Sequence, residues 1–301
     1  MPGKLYIVAT PIGNSEDMTD RAKRVLREAG VVAAEDTRTT QKLFQLLGIQ
    51  NKLVANHKFN ENRQAGHLVS ELLAGKNVAV VSDAGTPCVS DPGHVIVSEA
   101  VSNGIEVVGV CGASAVMTAL SVSGFPLVSF AFYGFFPREN KAMKDALREI
   151  KDSGVRVSVF FESPRRVLPS LALIAEELPE ARLCLCNDLT KLYERVYRGL
   201  PSEVLAEVSE NPDREKGEYT MVIYTPGAPP AVPAAAPVTC ESMLVDHIAR
   251  HGGTVKSAIQ ELQLLHRGKI AKKELYAAAL RLKALLPGLF PSDAGGDEYA
   301  E

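Results

Sequence analysis

The run Val78-Ala79-Val80-Val81 constrains this chain more than any other stretch, because it is apolar throughout, rich in β-branched residues and too short for a helix. It predicts a buried strand, and it empties into a loop of turn-formers, Ser82-Asp83-Ala84-Gly85-Thr86-Pro87-Cys88-Val89-Ser90-Asp91-Pro92-Gly93. In an open α/β sheet, ligands bind at the carboxyl ends of strands. Asp83 offers acceptors to a ribose or an amine, Ala84 and Gly85 let a ligand approach the main chain, and Pro87 and Pro92 stiffen the loop. A surface turn with Asp83 and Asp91 as caps is the plainer reading of the same residues.

The flanking sequence repeats this pattern. Leu5 to Ala9 is an apolar strand candidate followed by the turn Thr10-Pro11-Ile12-Gly13-Asn14. A helical stripe follows, Ala22, Val25, Leu26 and Ala29, with Asp17 or Thr19 as its cap and Gly30 at its end. Val31 to Ala34 is the next strand. Thr37 or Thr39 is placed to cap a helix carrying Leu43, Phe44, Leu46 and Leu47, which Gly48 stops. A weaker strand at Lys52 to Asn56 and a strand at Glu106 to Val110 lie on either side of the central strand with further helical stripes between them, and a helix is expected over Ser114 to Ser123. Strands spaced by helices predict a mostly parallel sheet covered on both faces, with the loops Thr10–Asn14, Glu35–Thr40, Ser82–Gly93 and Cys111–Ala115 converging at its carboxyl edge. Gly13 is the lone glycine of the first turn, so neither a Gly-x-Gly-x-x-Gly fingerprint nor a P-loop is present there.

At 301 residues the chain is long enough for two cores and a small third. A net charge of -3 gives no global sign of a nucleic-acid partner, so any such partner must meet a local patch. Five cysteines with no Cys-x-x-Cys pair argue against a disulfide framework and a structural zinc site, and no metal is expected. Cys184 and Cys186 fall on one face of a strand as buried thiols. The first apolar segment is interrupted by Pro11, which fits neither a signal peptide nor a membrane span, and the chain reads as cytoplasmic.

In the second half the aromatic run Phe130 to Phe136 suits either a wall for an adenine or base, or packing at a junction, and we place the domain boundary at residue 136. Strands are expected at Val155 to Phe161, Leu183 to Cys186, Tyr193 to Arg198 and Tyr219 to Tyr224. Helix-poor neighbours among them predict a mixed sheet. Arg165, Arg166 and Lys191 lie at strand ends, where they can meet phosphate or simply face solvent. Residues 226–237 are rich in Pro and Ala and uncharged, as a tether is. Beyond them, residues 238–290 show three helical stripes broken by Gly252-Gly253 and Gly268. Between Val238 and Gly288 there are eight Lys/Arg against four Asp/Glu, with Arg267, Lys269, Lys272 and Lys273 clustered. That pattern fits a helix-turn-helix RNA contact or a protein-interaction module. Residues 291–301 form a short tail.

The motifs Leu5 to Asn14, Ala34 to Thr39, Ser82 to Pro87, Ser90 to Gly93, Glu162-Ser163-Pro164 and Leu189-Thr190-Lys191 closely resemble the ribosomal RNA small subunit methyltransferase I family of the tetrapyrrole-methylase superfamily. They occur in order over roughly residues 4 to 224, and the likeness resumes in the helical tail. The resemblance implies two α/β domains, 1–136 and 137–225, with S-adenosylmethionine in a cleft between them, followed by the helix-turn-helix-like module. It also implies a homodimer acting on 16S rRNA within the small ribosomal subunit, by methyl transfer to a cytidine ribose 2′-hydroxyl in the decoding region. By the same likeness Pro11, Asp83, Thr86, Ser114 and Ala115 hold the cofactor. The chain departs from the family where Cys111-Gly112-Ala113-Ser114-Ala115 replaces a Pro-Gly-Pro-Ser-Ala turn, where Asn187-Asp188 replaces Arg-Glu, and where Arg165 replaces a His.

Methyl transfer to a hydroxyl is helped by a general base. The sequence offers Asp36 or a neutralised Lys191, with Arg38 placed to position phosphate. Two other functions fit the same residues: methylation of a tetrapyrrole-like small molecule, which has no use for the basic tail, and a non-catalytic ribosome-binding or assembly factor, which the altered Cys111–Ala115 turn suggests.

Overall fold

The computed structural model describes residues 1–227, 239–266 and 270–285. The chain divides into two compact units between residues 231 and 232.

The first half of the larger unit is a five-stranded sheet of β1 (Leu5–Val8), β2 (Val31–Ala34), β3 (Leu53–Ala55), β4 (Val78–Val81) and β5 (Val107–Val110) in the order β3-β2-β4-β1-β5. Every pairing in it is parallel. The helices between strands are α1 (Asp20–Glu28), α2 (Thr37–Leu47), α3 (Glu61–Leu73) and α4 (His94–Ser102), and α5 (Ala115–Ser123) follows β5. Alternate strand residues point to opposite faces. Val8, Val32, Ala34, Ala79 and Val81 pack with Ala22, Leu26 and Phe44 of α1 and α2. Leu5, Val31, Ala33, Val78 and Val80 pack with Leu68, Leu72, Ile96 and Ala100 of α3 and α4. This two-sided burial is why the strands read as continuous apolar runs. The chain leaves β1 towards one face and β4 towards the other although the two strands are neighbours, and their carboxyl ends therefore flank a crevice.

The second half is a sheet of β6 (Ala131–Phe135), β7 (Val157–Glu162), β8 (Arg182–Asn187), β9 (Arg195–Gly199) and β10 (Tyr219–Tyr224) in the order β6-β7-β10-β8-β9. It is mixed, as expected: β6 runs parallel to β7 and the other pairings are antiparallel. One face, with Phe160, Leu183, Leu185, Met221 and Ile223, packs on α6 (Asn140–Asp152), α7 (Val167–Glu177) and α8 (Pro201–Glu210). The other face, with Val157, Val159, Cys184, Cys186 and Val222, packs on Val116, Ala119 and Leu120 of α5. Both cysteines are thus buried thiols, 3.9 Å apart.

The boundary expected at residue 136 leaves β6 on the side of the first domain, whereas β6 pairs within the second sheet. β6 belongs to the second sheet because its aromatics have their partners on β7: Phe132 meets Phe161 and Tyr133 stacks on Phe160, each at 4.9 Å between ring centroids. Of the two readings of the aromatic run, packing is the one these rings adopt.

The smaller unit contains α9 (Cys240–His251), α10 (Val255–Leu265) and α11 (Lys272–Leu285). Thr239 caps α9 by accepting from Ser242 N at 3.1 Å, and Thr254 caps α10 by accepting from Ser257 N at 3.2 Å. Leu244, Ile259, Leu262, Leu275, Ala278 and Leu282 form its core. Most of the expected tether, Arg267 and Lys269 of the basic cluster, and the tail lie outside the described residues. Among the described residues no helix is long and apolar enough to cross a membrane.

Candidate active site

Three loops at the carboxyl edge of the first sheet are tied into one surface. After β1, Thr10 N donates to Gly85 O at 2.9 Å and Gly85 N returns a bond to Thr10 O at 3.0 Å. Thr10 Oγ1 donates to Ser82 O at 3.1 Å, and Thr86 Oγ1 to Ala113 O at 3.2 Å. Gly85 sits at φ +81°, where a side chain is strained, and a Cβ on Gly112 would lie 2.8 Å from Ala9 Cβ. Ser114 Oγ accepts from Met117 N at 3.4 Å and caps α5, so Ala115 opens that helix with an amide free of intrahelical partners. The structure therefore brings Pro11, Asp83, Thr86, Ser114 and Ala115 onto one edge. Thr86 and Ser114 fix main chain there through these bonds.

The second half closes on this edge at two points. A Cβ on Gly13 would lie 2.4 Å from Lys191 Cγ and 3.1 Å from Leu189 O, so the β1 loop runs directly against the turn after β8. Asp188 and Thr190 of that turn have φ +53° and +64°. Lys191 Nζ pairs with Asp188 Oδ1 at 2.7 Å and Glu218 Oε2 at 3.1 Å. The second contact is at β6, where a Cβ on Gly134 would lie 3.3 Å from Ser90 Oγ. Arg166, expected as a phosphate contact or as surface charge, is instead turned inward: it donates to Phe136 O at 3.2 Å and pairs with Glu162 at 3.4 Å.

Both base candidates are engaged by partners that hold them charged. Asp36, rather than Thr37 or Thr39, caps α2 by accepting from Arg38 N at 2.8 Å. Its carboxylate also takes Arg38 Nε at 3.0 Å and Nη2 at 2.6 Å. Those side-chain bonds, then the backbone bond, hold Asp36 far below the usual carboxylate range and leave it a poor proton acceptor. Burial alone would lower the Lys191 ammonium, but Asp188 and Glu218 outweigh it and raise the group, which stays charged.

The carboxylates that do hold protons more tightly were not singled out as candidate bases. Asp91 is pushed up to about 6, first by burial and then by the charge of Glu35. Glu35 and Asp83 are raised as well, burial again being the largest cause in each. Asp83 N donates to Glu35 Oε2 at 3.4 Å and Asp83 Oδ1 accepts from Asp36 N at 3.1 Å, so loops after β2 and β4 share this acidic edge. The available signal is that Glu35 and Asp83 come directly after the adjacent strands β2 and β4, with Asp91 later in the β4 loop. Among the described residues no group of three or more His, Cys, Asp or Glu is arranged to hold a metal. Like charges gathered on this partly covered edge favour a ligand bearing positive charge.

An all-parallel sheet whose neighbouring β1 and β4 send their helices to opposite faces, joined to a mixed second sheet across tied loops, defines a known class. The chain belongs to the tetrapyrrole (corrin/porphyrin) methylase family, whose profile residues 4–205 match. Among individual proteins it is similar to the ribosomal RNA small subunit methyltransferase I of Halalkalibacterium halodurans, with 42% identity over 221 residues, 73% of this chain and 75% of that one. The protein of the same name in Vibrio cholerae is 44% identical over 222 residues, 73% of this chain and 76% of that one. The Bacillus subtilis protein of that name is 37% identical over 280 residues, 92% of this chain and 94% of that one, a span that takes in the helical tail. A crystal structure of the methyltransferase CobJ superposes with a TM-score of 0.55 at 16% identity, covering 74% of this chain and 95% of that one, which is a likeness of fold.

Proposed function

We propose that the chain is an S-adenosylmethionine-dependent methyltransferase that modifies the ribose 2′-hydroxyl of a cytidine in the decoding region of 16S rRNA. The observation that carries this reading is the likeness, at 37–44% identity over 73–92% of this chain, to relatives named for methylation of small-subunit ribosomal RNA.

The cofactor supplies a methyl group already activated on a sulfonium, so the protein's task is alignment and proton removal. Pro11 and the main chain of the β1, β4 and β5 loops cradle it. The amides at the start of α5, capped by Ser114, favour its carboxylate. Asp83 takes its ribose or amine, and the raised carboxylates of Glu35 and Asp83 favour its positive charge. Arg38, 87% exposed although paired with Asp36, and Lys191 present cations to the RNA backbone. Asp36, Glu35 and Asp91 are the carboxylates of this edge from which a general base for the hydroxyl proton is drawn, burial raising Glu35 and Asp91 and Arg38 lowering Asp36.

The same reading makes the protein a homodimer, supported by exposed Leu127, Val128 and Phe130, with Val128 98% exposed, which suit burial against a second copy. It makes the three-helix unit a helix-turn-helix-like RNA contact, supported by exposed Lys272 and Lys273 at the start of α11. Incubation with methyl-labelled S-adenosylmethionine and small ribosomal subunits, followed by nucleoside mapping, tests the activity. Label on 2′-O-methylcytidine is expected, and label on small molecules alone rejects the proposal.

A further inference from the structure

Phe59 is 85% exposed, more than Phe135 at 62% or Phe130 at 42%, so folding does not account for its placement. It sits in the loop after β3, and β3 pairs parallel with β2 in the register Ala34 with Ala55, which sets this loop beside Glu35 to Arg38 at the candidate site's edge. The loop is held in shape by Asn60. That side chain accepts from His57 N at 2.8 Å and donates to Ala55 O at 3.1 Å, while the amides of Asn60 and Glu61 bond His57 O at 2.9 and 3.0 Å. Lys58 Nζ stands 4.9 Å from the Phe59 ring centroid, and His57 meets the ring edge-on at 6.1 Å. Glu61, the acid of this stretch, has a side chain only 13% exposed and bonds Gly93 N at 3.2 Å. Its charge is drawn into the fold, and Lys58 and Arg63 remain on the outside.

We propose that Phe59, flanked by Lys58 and Arg63, is a stacking platform for an unpaired base of the RNA substrate beside the nucleotide that is methylated, a deepening that rests on the rRNA reading. A flat aromatic face open to solvent next to cations is how single-stranded RNA is gripped, because every base has a π-face and every linkage a phosphate. A preformed loop presents that face without an ordering penalty at binding. Phe59 thereby positions RNA and takes no part in the chemical step.

The test uses the full chain with small ribosomal subunits and labelled S-adenosylmethionine. Phe59→Ala is expected to raise KM for the subunit about 5- to 100-fold, the loss of one stacked base. Cofactor affinity by calorimetry should be unchanged, and kcat should stay within about twofold, as for a residue that binds ground and transition states equally. Phe59→Trp should restore KM, and Phe59→Leu, equally apolar but without a π-face, should not. A parental KM in Phe59→Ala overturns the platform while leaving the methyltransferase reading intact. So does rescue by leucine, or loss of a homodimer in sedimentation of the variant, since either marks a plain apolar contact. A parent protein that methylates no rRNA removes the reading itself, and the platform with it.

Discussion

At the scale of single residues, Gly13 and Asp91 show how the edge is built. A Cβ at Gly13 would meet Lys191 Cγ at 2.4 Å and the Leu189 carbonyl at 3.1 Å, so Gly13→Ala must displace the turn after β8. The expected loss is about 1–3 kcal/mol of stability, with weakened cofactor binding, read by denaturant unfolding and calorimetry. For Asp91, whose folded pKa of about 6 lies above the ordinary aspartate value, the ionised form is the disfavoured one. Its contribution is therefore absent below about pH 4, grows more unfavourable as pH rises towards 6, and is constant above that. Asp91→Asn should flatten the dependence of Tm on pH in that window. It should also gain roughly 1–2 kcal/mol at neutral pH after allowance for partial exposure, less what its bond to Ser82 contributes. A Tm profile parallel to the parent's would place the proton elsewhere. Sequence showed these loops as polar strand ends, but it could not show who pairs with whom. The partner of Lys191 at Glu218 is remote in the chain, and the Asp36–Arg38 fork forms only once α2 begins at Thr37. Both long-range and helix-start geometry decide the pKa values, and neither is written in local spacing.

Among the elements, the short strands were legible because burial on both faces leaves a continuous apolar signature, and the helices because one stripe of each faces a sheet. The division of the chain was less legible. β6 is an edge strand whose aromatics find their partners on β7, and an aromatic run says nothing of which sheet will take it. α5 is the other instance: Val116, Ala119 and Leu120 follow helical spacing, yet their partners are Val157, Cys184 and Val222 of the second sheet. Leu120→Ala is expected to cost about 2–5 kcal/mol, as a fully buried leucine does. Because α5 is common to both halves, urea unfolding of that variant should remain a single transition for the body. A separate transition for the first half would show that α5 does not join them.

At the scale of the molecule, the three-helix unit has its own core and its own caps, and the body has the complete tied edge without it. Removing everything after Pro226 should leave S-adenosylmethionine affinity at the parental value and weaken binding to the small subunit. In the full chain, Lys272→Ala with Lys273→Ala should reduce the salt dependence of that binding by up to about two phosphate contacts. Equal salt slopes for parent and double variant would turn the unit towards a protein partner. The basic cluster of this unit was legible as charge alone, since sequence gives the number of lysines and not the partner they face.

The burial of α5 beneath the second sheet also bears on synthesis. When α5 leaves the ribosome, the strands that cover Val116, Ala119 and Leu120 have not yet been made, and β10 at Tyr219–Tyr224 comes last. At roughly 5–20 residues per second, the nascent chain carries that uncovered helix for several seconds. During this interval the first half is a finished sheet with an unfinished surface, and it depends on the rest of its own translation, or on a chaperone, to stay unaggregated.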